Sequence, residues 1–275
     1  MLRIAFGWAL VLLWWSFAFA LEERQLAFPG AEGWGRFAIG GRGGRVVEVT
    51  NLRADGPGSF KAAVEGEGSR TVVFRVGGTI DLKGKSVRIR HPYLTIAGQT
   101  APGEGVLLRN GQIILIETHD VIVRHLRVRP GPDVPTPASS QTVTADGTNT
   151  GKAMNVIVDH CSLGWATDDT AGCCGARNVT YQWCLLSEGL NVSEDPKSGI
   201  YGKGFVVGAG AENISLVNNV LAHFKDRAPQ TSSHRTQIVN NLIYNVRGDS
   251  NVFPRRGPID VAFLDNHYCC GVSVP

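Results

Sequence analysis

Six short stretches of the 275-residue chain repeat one another: Asp120-Val-Ile-Val-Arg-His-Leu, Asn155-Val-Ile-Val-Asp-His-Cys, Asn178-Val-Thr-Tyr-Gln-Trp-Cys, Asn213-Ile-Ser-Leu-Val-Asn-Asn, Arg235-Thr-Gln-Ile-Val-Asn-Asn and Asp260-Val-Ala-Phe-Leu-Asp-Asn. Counted from the second residue of each (121, 156, 179, 214, 236, 261), the spacings are 35, 23, 35, 22 and 25, a unit near 23 twice lengthened by 12. A solenoid with insertions reads this way. Each stretch is rich in Val, Ile and Leu and is followed by polar, glycine-containing turns, which is the signature of a strand. No 3.6-residue pattern separates the strands, and units this short cannot hold the helix that a βαβ crossover needs. The expected fold class is therefore all-β: a right-handed, single-stranded parallel β-helix whose like strands stack at about 4.8 Å. Thr71-Val-Val-Phe-Arg-Val, Ser86-Val-Arg-Ile, Tyr93-Leu-Thr-Ile-Ala and Val106-Leu-Leu-Arg are expected as earlier strands, and residues 58–65 as a short N-terminal capping helix over the open end of the stack.

Residues 1–20 combine Arg3, an apolar run from Ile4 to Trp15 and Ala18-Phe-Ala20, the layout of a cleaved secretory signal peptide, with one β-helix domain over 21–275. The protein is expected to be secreted, extracellular or periplasmic, with no membrane association after cleavage. The net charge of +3 is too small and too scattered for a nucleic-acid ligand. Six cysteines fit an oxidising compartment, yet no C-x-x-C spacing points to zinc. Cys161 and Cys184 share one slot of consecutive repeats and should be stacked neighbours, either bridged or buried as small apolar residues. A monomer is expected.

The slot four residues after each anchor holds His125, His160, Trp183, Asn218, Asn240 and Asp265, and the next holds Leu126, Cys161, Cys184, Asn219, Asn241 and Asn266. These should form ladders, with stacked Asn219 and Asn241 hydrogen-bonding along the axis and the histidines acting as scaffold. Asp159, inside a strand, is expected to be structural at least as much as catalytic. A second phase carries chemistry. Asp146, Asp168, Asp169, Lys203 and Arg227 all lie 9 to 11 residues before the next anchor, which would put three acids, a Lys and an Arg on one face of four coils. Clustered carboxylates suit a hard cation such as calcium, and neighbouring Lys and Arg suit an anionic substrate. The same residues are also compatible with ordinary solvated turns.

Phe28-Pro-Gly-Ala-Glu-Gly-Trp-Gly, Gly40-Gly-Arg-Gly-Gly, Leu94-Thr-Ile-Ala-Gly-Gln-Thr-Ala-Pro-Gly, Val158-Asp-His-Cys-Ser, Gln182-Trp-Cys and Arg227-Ala-Pro followed by Asn240-Asn form an ordered set over residues 27 to 268. In this set the chain resembles the pectate lyase family of secreted parallel β-helix polysaccharide lyases. The glycine-rich start is not a dinucleotide loop, because no strand-turn-helix and ribose acid follow it. The resemblance implies calcium-assisted β-elimination on polygalacturonate or pectin. Arg227 of the R-x-P motif would be the Brønsted base, Asp146 with Asp168 or Asp169 the calcium ligands, and Lys203 a substrate contact. Gln230 and Ser232 stand where the family carries basic residues, so Arg235 is the expected substitute, and Asp168-Asp169 are adjacent where the family spaces its acids. Two other readings remain open: an inverting pectin hydrolase on the same coil, and a glycan-binding β-helix that lost its site. Asn178-Val-Thr, Asn191-Val-Ser and Asn213-Ile-Ser are glycosylation sequons, two of them at repeat starts where the asparagine could be structural. The chain stops at Pro275 soon after the sixth repeat, and late coils or a C-terminal cap are expected to be missing.

Overall fold

A computed structural model describes residues 24–132, 141–146, 152–190, 202–248, 251–252 and 259–271. The 1–20 leader lies outside the described residues. The chain visits three sheets in turn, of nine, eight and seven strands, and every strand pair between consecutive coils is parallel. The six sequence repeats are the last six strands of the nine-stranded sheet, from His119–Arg124 to Val261–Leu264. Their anchors pair in register, Val121 with Val156, Val156 with Val179, Val179 with Ile214, Ile214 with Thr236 and Thr236 with Val261. The expected parallel β-helix is the architecture found.

Inward-facing Val, Ile, Leu and Phe from all three sheets fill one continuous core, with Val121, Val156, Val179 and Ile214 fully buried. The stack is closed at its first coils by the helix Phe60–Glu65, within the span expected for it. Ser59 caps it by accepting the Ala62 N–H at 3.2 Å, and Phe60 stacks on Phe74 with ring centroids 5.8 Å apart. The last carbonyls of this helix would be orphaned under a lid of apolar residues. Buried Arg70 answers them, its guanidinium donating to Ala63 O, Val64 O and Gly68 O.

The corner between the nine- and eight-stranded sheets is where the ladders form. His125, His160, Trp183, Asn218, Asn240 and Asp265 all adopt left-handed backbone, φ 51 to 58°. His125 stacks on His160 at 5.0 Å and His160 on Trp183 at 6.2 Å, so the histidines form part of the scaffold. The next residue points inward. Asn219 Oδ1 accepts the Cys184 N–H at 2.9 Å, Asn241 Oδ1 the Asn219 N–H at 2.9 Å, and Asn266 Oδ1 the Asn241 N–H at 3.0 Å. Cys161 and Cys184 are stacked and unbridged. Asp159 is fully buried, its oxygens accepting from Arg124 Nε and Gln182 Nε2, each at 2.7 Å, with His160 Nδ1 at 2.9 Å. Its role here is to tie three coils together.

At the opposite end of the same strands a second ladder runs through Asp120, Asn155, Asn178 and Asn213, again in left-handed backbone. Asn178 Nδ2 donates to Asn155 Oδ1 at 3.0 Å and Asn213 Nδ2 to Asn178 Oδ1 at 2.8 Å. Two of the three sequon asparagines are thus structural, and Asn191 lies outside the described residues. The glycine-rich start has a physical use that its pattern does not announce. It is a strap laid flat across the outer face of the nine-stranded sheet, where Gly41, Ile39, Gly35, Trp34 and Glu32 donate backbone N–H groups to Thr95, Asp120, Thr180, Ser215 and Gln182 side chains at 2.8 to 3.1 Å. A Cβ on Gly35 would overlap the Val156 carbonyl, so only glycine permits that approach.

Asn241→Ala should cost about 3 kcal/mol, because it removes the partners of the Asn219 N–H and of Leu216 O inside the coil and leaves Asn219 Nδ2 with Tyr181 O alone. Urea midpoints measure this, and a loss below about 0.5 kcal/mol would show that the ladder is not cooperative.

Candidate functional site

In the last six coils, connections from the nine- to the eight-stranded sheet never exceed the corner residue and its inward neighbour. Connections from the eight- to the seven-stranded sheet vary, spanning 110–112, 130–142, 165–168, 188–202, 223–229 and 245–250. The insertions that lengthen two of the repeats therefore include 130–142 and 188–202, both at this one corner. A loop here changes length without shifting the faces of the strands, so this is the corner where side chains can be added for chemistry.

Asp168, Asp169, Lys203 and Arg227 meet at this corner. Asp169 opens the strand Asp169–Cys174 and pairs with Lys203, the first residue of Lys203–Val207; Lys203 in turn bridges to Asp226. Lys203 Nζ donates to Asp168 Oδ1 at 2.7 Å, and Arg227 Nη1 to both oxygens of Asp169 at 2.9 and 2.8 Å. Arg227 is held in left-handed backbone, φ 57°, with its N–H on Asp226 Oδ1 at 2.8 Å and its carbonyl on the Phe205 N–H at 2.6 Å. Gly204 lets that coil approach, since a Cβ there would meet Arg227 O and the Phe224 ring. The Asp169 side chain is only 6% exposed. Burial pushes its carboxyl up to about 6, with Asp168 adding to the rise and Arg227 and Lys203 pulling against it. Arg227 Nε is buried without a hydrogen-bond partner.

The other two residues expected at the site sit elsewhere. Asp146 ends its strand opposite Cys174, and Cys174 is five positions after Asp169 (174 − 169), about 16 Å along the strand. The offset arises because the link from that strand to the next repeat spans 147–153, whereas the following coil needs only 175–176, so the same count back from the anchor stops at the strand's end, short of the corner. Asp146 accepts from Thr144 Oγ1 at 3.1 Å, and burial raises its pKa. In the coil before Asp169 the neighbouring position is Gln141, two before Val143, which pairs with Ala171. Arg235 is on the nine-stranded sheet, where it binds Glu212 at 3.1 Å beside Arg177. It does not join Arg227, because the strand His234–Val239 faces a different side of the coil.

Two acids and two cations in contact can orient an anionic ligand and hold or release a proton. Asp168 and Asp169 supply the hard oxygens that calcium prefers, but each already faces a cation, so an ion could take them only as Lys203 and Arg227 turn away. Among the described residues, His125, Asp159 and His160 also bring ligand-type atoms together, yet Asp159 is committed to Arg124 and Gln182.

No family model matches the chain. It is 38% identical over 224 residues, 81% of its length, to a protein of Emericella nidulans named "Probable pectate lyase C", and 37% identical over 256 residues, 90% of its length, to one of the same name from Neosartorya fischeri. These matches span 48% and 55% of the two relatives, so the chain spans about half the length of the curated relatives it matches. Among solved structures, a single-residue variant of a pectate lyase from Xanthomonas campestris superposes with a TM-score of 0.60 at 14% identity, covering 88% of this chain and 84% of that one. The cedar pollen allergen jun a 1 superposes with a TM-score of 0.50 at 16% identity, with the same coverage. In sequence the chain is thus similar to proteins named pectate lyase, and it shares the parallel β-helix fold of solved pectate lyases.

Proposed function

We propose that the protein is a secreted, monomeric lyase that cleaves polygalacturonate or pectin by β-elimination at the Asp168–Asp169–Lys203–Arg227 corner. The observation that carries this reading is the arrival of Lys203 and Arg227 from successive coils on two adjacent, largely buried carboxylates. A uronate carboxylate entering the corner competes with Asp168 and Asp169 for the same two cations, and so is oriented by them. Arg227 is then the residue placed to take the proton next to that carboxylate. In the ligand-free arrangement Arg227 is paired with Asp169, so its use as a base needs Asp169 to be neutralised. Calcium on Asp168 and Asp169 would supply that neutralisation and would draw electron density from the substrate carboxylate. Secretion through the 1–20 leader belongs to the same proposal; among the described residues, no helix is long and apolar enough to cross a membrane.

Incubation with polygalacturonate should produce the absorbance of an unsaturated uronate, present with calcium and lost with chelator. New reducing ends without that absorbance would instead identify a hydrolase, and binding without cleavage a glycan-binding module. Arg227→Lys keeps a charge near Asp169 but removes the proposed base, and should lower turnover by about 100-fold or more with an unchanged melting temperature. Near-normal turnover in this variant would remove Arg227 from the role of base.

Asp169 has its own titration. Its folded pKa of about 6 lies above the unfolded value of about 3.9, so the folded state holds the proton more tightly. The stability from this group is complete below about pH 4 and is lost as pH rises through about 6. The stability difference between wild type and Asp169→Asn, read by urea midpoints, should therefore fall between about pH 4 and 6 and be level above about 7. A difference that does not change with pH would mean that burial does not raise this carboxyl.

A further inference from the structure

The corner between the seven- and nine-stranded sheets carries a cavity that the proposed cleavage does not use. It is about 190 Å³ in volume, walled by Arg24, Trp34, Arg36 and Phe37 of the strap and its approach and by the Asn155–Asn178–Asn213 ladder. The strand Asp169–Cys174 begins at the Arg227 corner and ends at this one, so about 16 Å of sheet separates them. Along the ladder each side-chain oxygen accepts from the Nδ2 of the next coil, Asp120 from Asn155, Asn155 from Asn178 and Asn178 from Asn213. The run stops at Asn213. The following coil places Arg235 in the same slot, where its Nη2 goes to Glu212 at 3.1 Å and its Nε is buried without a partner. Asn213 is only 6% exposed, and its Oδ1 is left as an acceptor with no donor.

Trp34 supplies the complementary half. Its backbone N–H is on Ser215 Oγ at 3.1 Å, two residues beyond Asn213, and its indole Nε1 is a buried donor with no acceptor. A donor on the strap and an acceptor on the coil thus stand unsatisfied in residues that wall one cavity, and buried polar groups are seldom left so. Arg24 and Arg36 add charge at the rim, their guanidinium carbons 4.8 and 4.6 Å from the Phe37 ring centroid. Two cations held on one ring repel, and an anion beside them relieves the repulsion. Among the described residues neither is in an ion pair, and Arg36 Nη1 donates to Gly33 O at 3.2 Å. The acids on these elements are committed elsewhere: Glu32 accepts from Asn218 Nδ2 at 3.0 Å, Glu212 from Arg235 at 3.1 Å and Asp120 from the Ile39 N–H at 2.8 Å.

We propose that this cavity binds a small anion that also carries a hydroxyl, the chemistry shared by a free sugar acid and by hydrogen phosphate. The guanidinium groups take its charge, one of its oxygens accepts the Trp34 indole N–H, and its hydroxyl donates to Asn213 Oδ1. The volume lies below the roughly 300–1,000 Å³ of sites for larger organic ligands, which limits the occupant to a single small molecule and excludes a threaded polymer. By bridging Trp34 to Asn213 the anion fastens the strap to the stack, so its binding adds to the stability of the fold. The site stands independently of the lyase reading.

The test is thermal unfolding of the full chain in chelator at rising concentrations of galacturonate, inorganic phosphate or neutral galactose. A free monosaccharide has no glycosidic bond to cleave, so the readout does not depend on turnover. Galacturonate or phosphate should raise the melting temperature saturably, and galactose should not. Trp34→Phe keeps an aromatic ring and removes only the unsatisfied donor, so the ligand-free melting temperature should not fall. Arg36→Gln removes one charge. Each variant should raise the half-saturating concentration about 10-fold, and the tighter of the two anions identifies the source. No saturable shift with either anion, or an equal shift with galactose, overturns the proposal. A shift that both variants keep overturns it too, and if Lys203→Ala abolishes that shift the anion sits at the cleavage corner instead. A protein that binds the anion through Trp34 and Arg36 yet leaves polygalacturonate uncleaved keeps this site and loses the lyase reading.

Discussion

The left-handed bend at the end of the last six strands in the nine-stranded sheet is the constraint on which the rest of the molecule depends. Left-handed backbone costs a side-chain-bearing residue about 1–2 kcal/mol, and in each of these six coils the chain meets that cost at this corner. Asn and Asp tolerate it best, which accounts for Asn218, Asn240 and Asp265; His125, His160 and Trp183 offset it by stacking their rings. Because the bend is fixed, the following residue always points inward, and asparagines there can bond coil to coil. In these six coils a corner of fixed length leaves variation in length to the other two corners. The long connections, and with them the acids and cations, gather at the corner between the eight- and seven-stranded sheets.

At that corner, charges are satisfied in pairs before any ligand arrives. Taking Asp169 out of water is costly, and the rise of its pKa records that cost; Arg227 returns part of it. The arrangement is preorganised yet exchangeable, since a ligand carboxylate can take over the contacts made by Asp168 and Asp169. A neutral sugar has no charge to offer in exchange, so the pairing itself discriminates in favour of acidic ligands.

Periodicity made the stack legible from the sequence, because six like strands must pair in register if their inward faces are to coincide. It carried the asparagine ladder too, since the same slot recurs in every coil. Position along the third sheet was harder to read. The ruler held for Asp168, Asp169, Lys203 and Arg227, then failed for Asp146, where the link to the next repeat is longer and the count stops short of the corner. Arg235 failed for another reason: closeness in sequence to Arg227 hides a change of sheet between them. The strap was invisible as such, because its hydrogen bonds run from glycine-rich backbone to Ser, Thr, Asp and Gln side chains far along the chain, and neither side has a pattern of its own.

That strap carries information about the order of events. Its first residues emerge early in synthesis, yet the Trp34 N–H finds its acceptor on Ser215, 181 positions later, and the Glu32 N–H finds its own on Gln182, 150 positions later. The beginning of the domain therefore cannot finish folding until most of the coil has been made. The strap acts as a seal applied to a completed stack, and a nascent chain or truncated fragment lacking the strand Glu212–Val217 would leave it unfastened at one end.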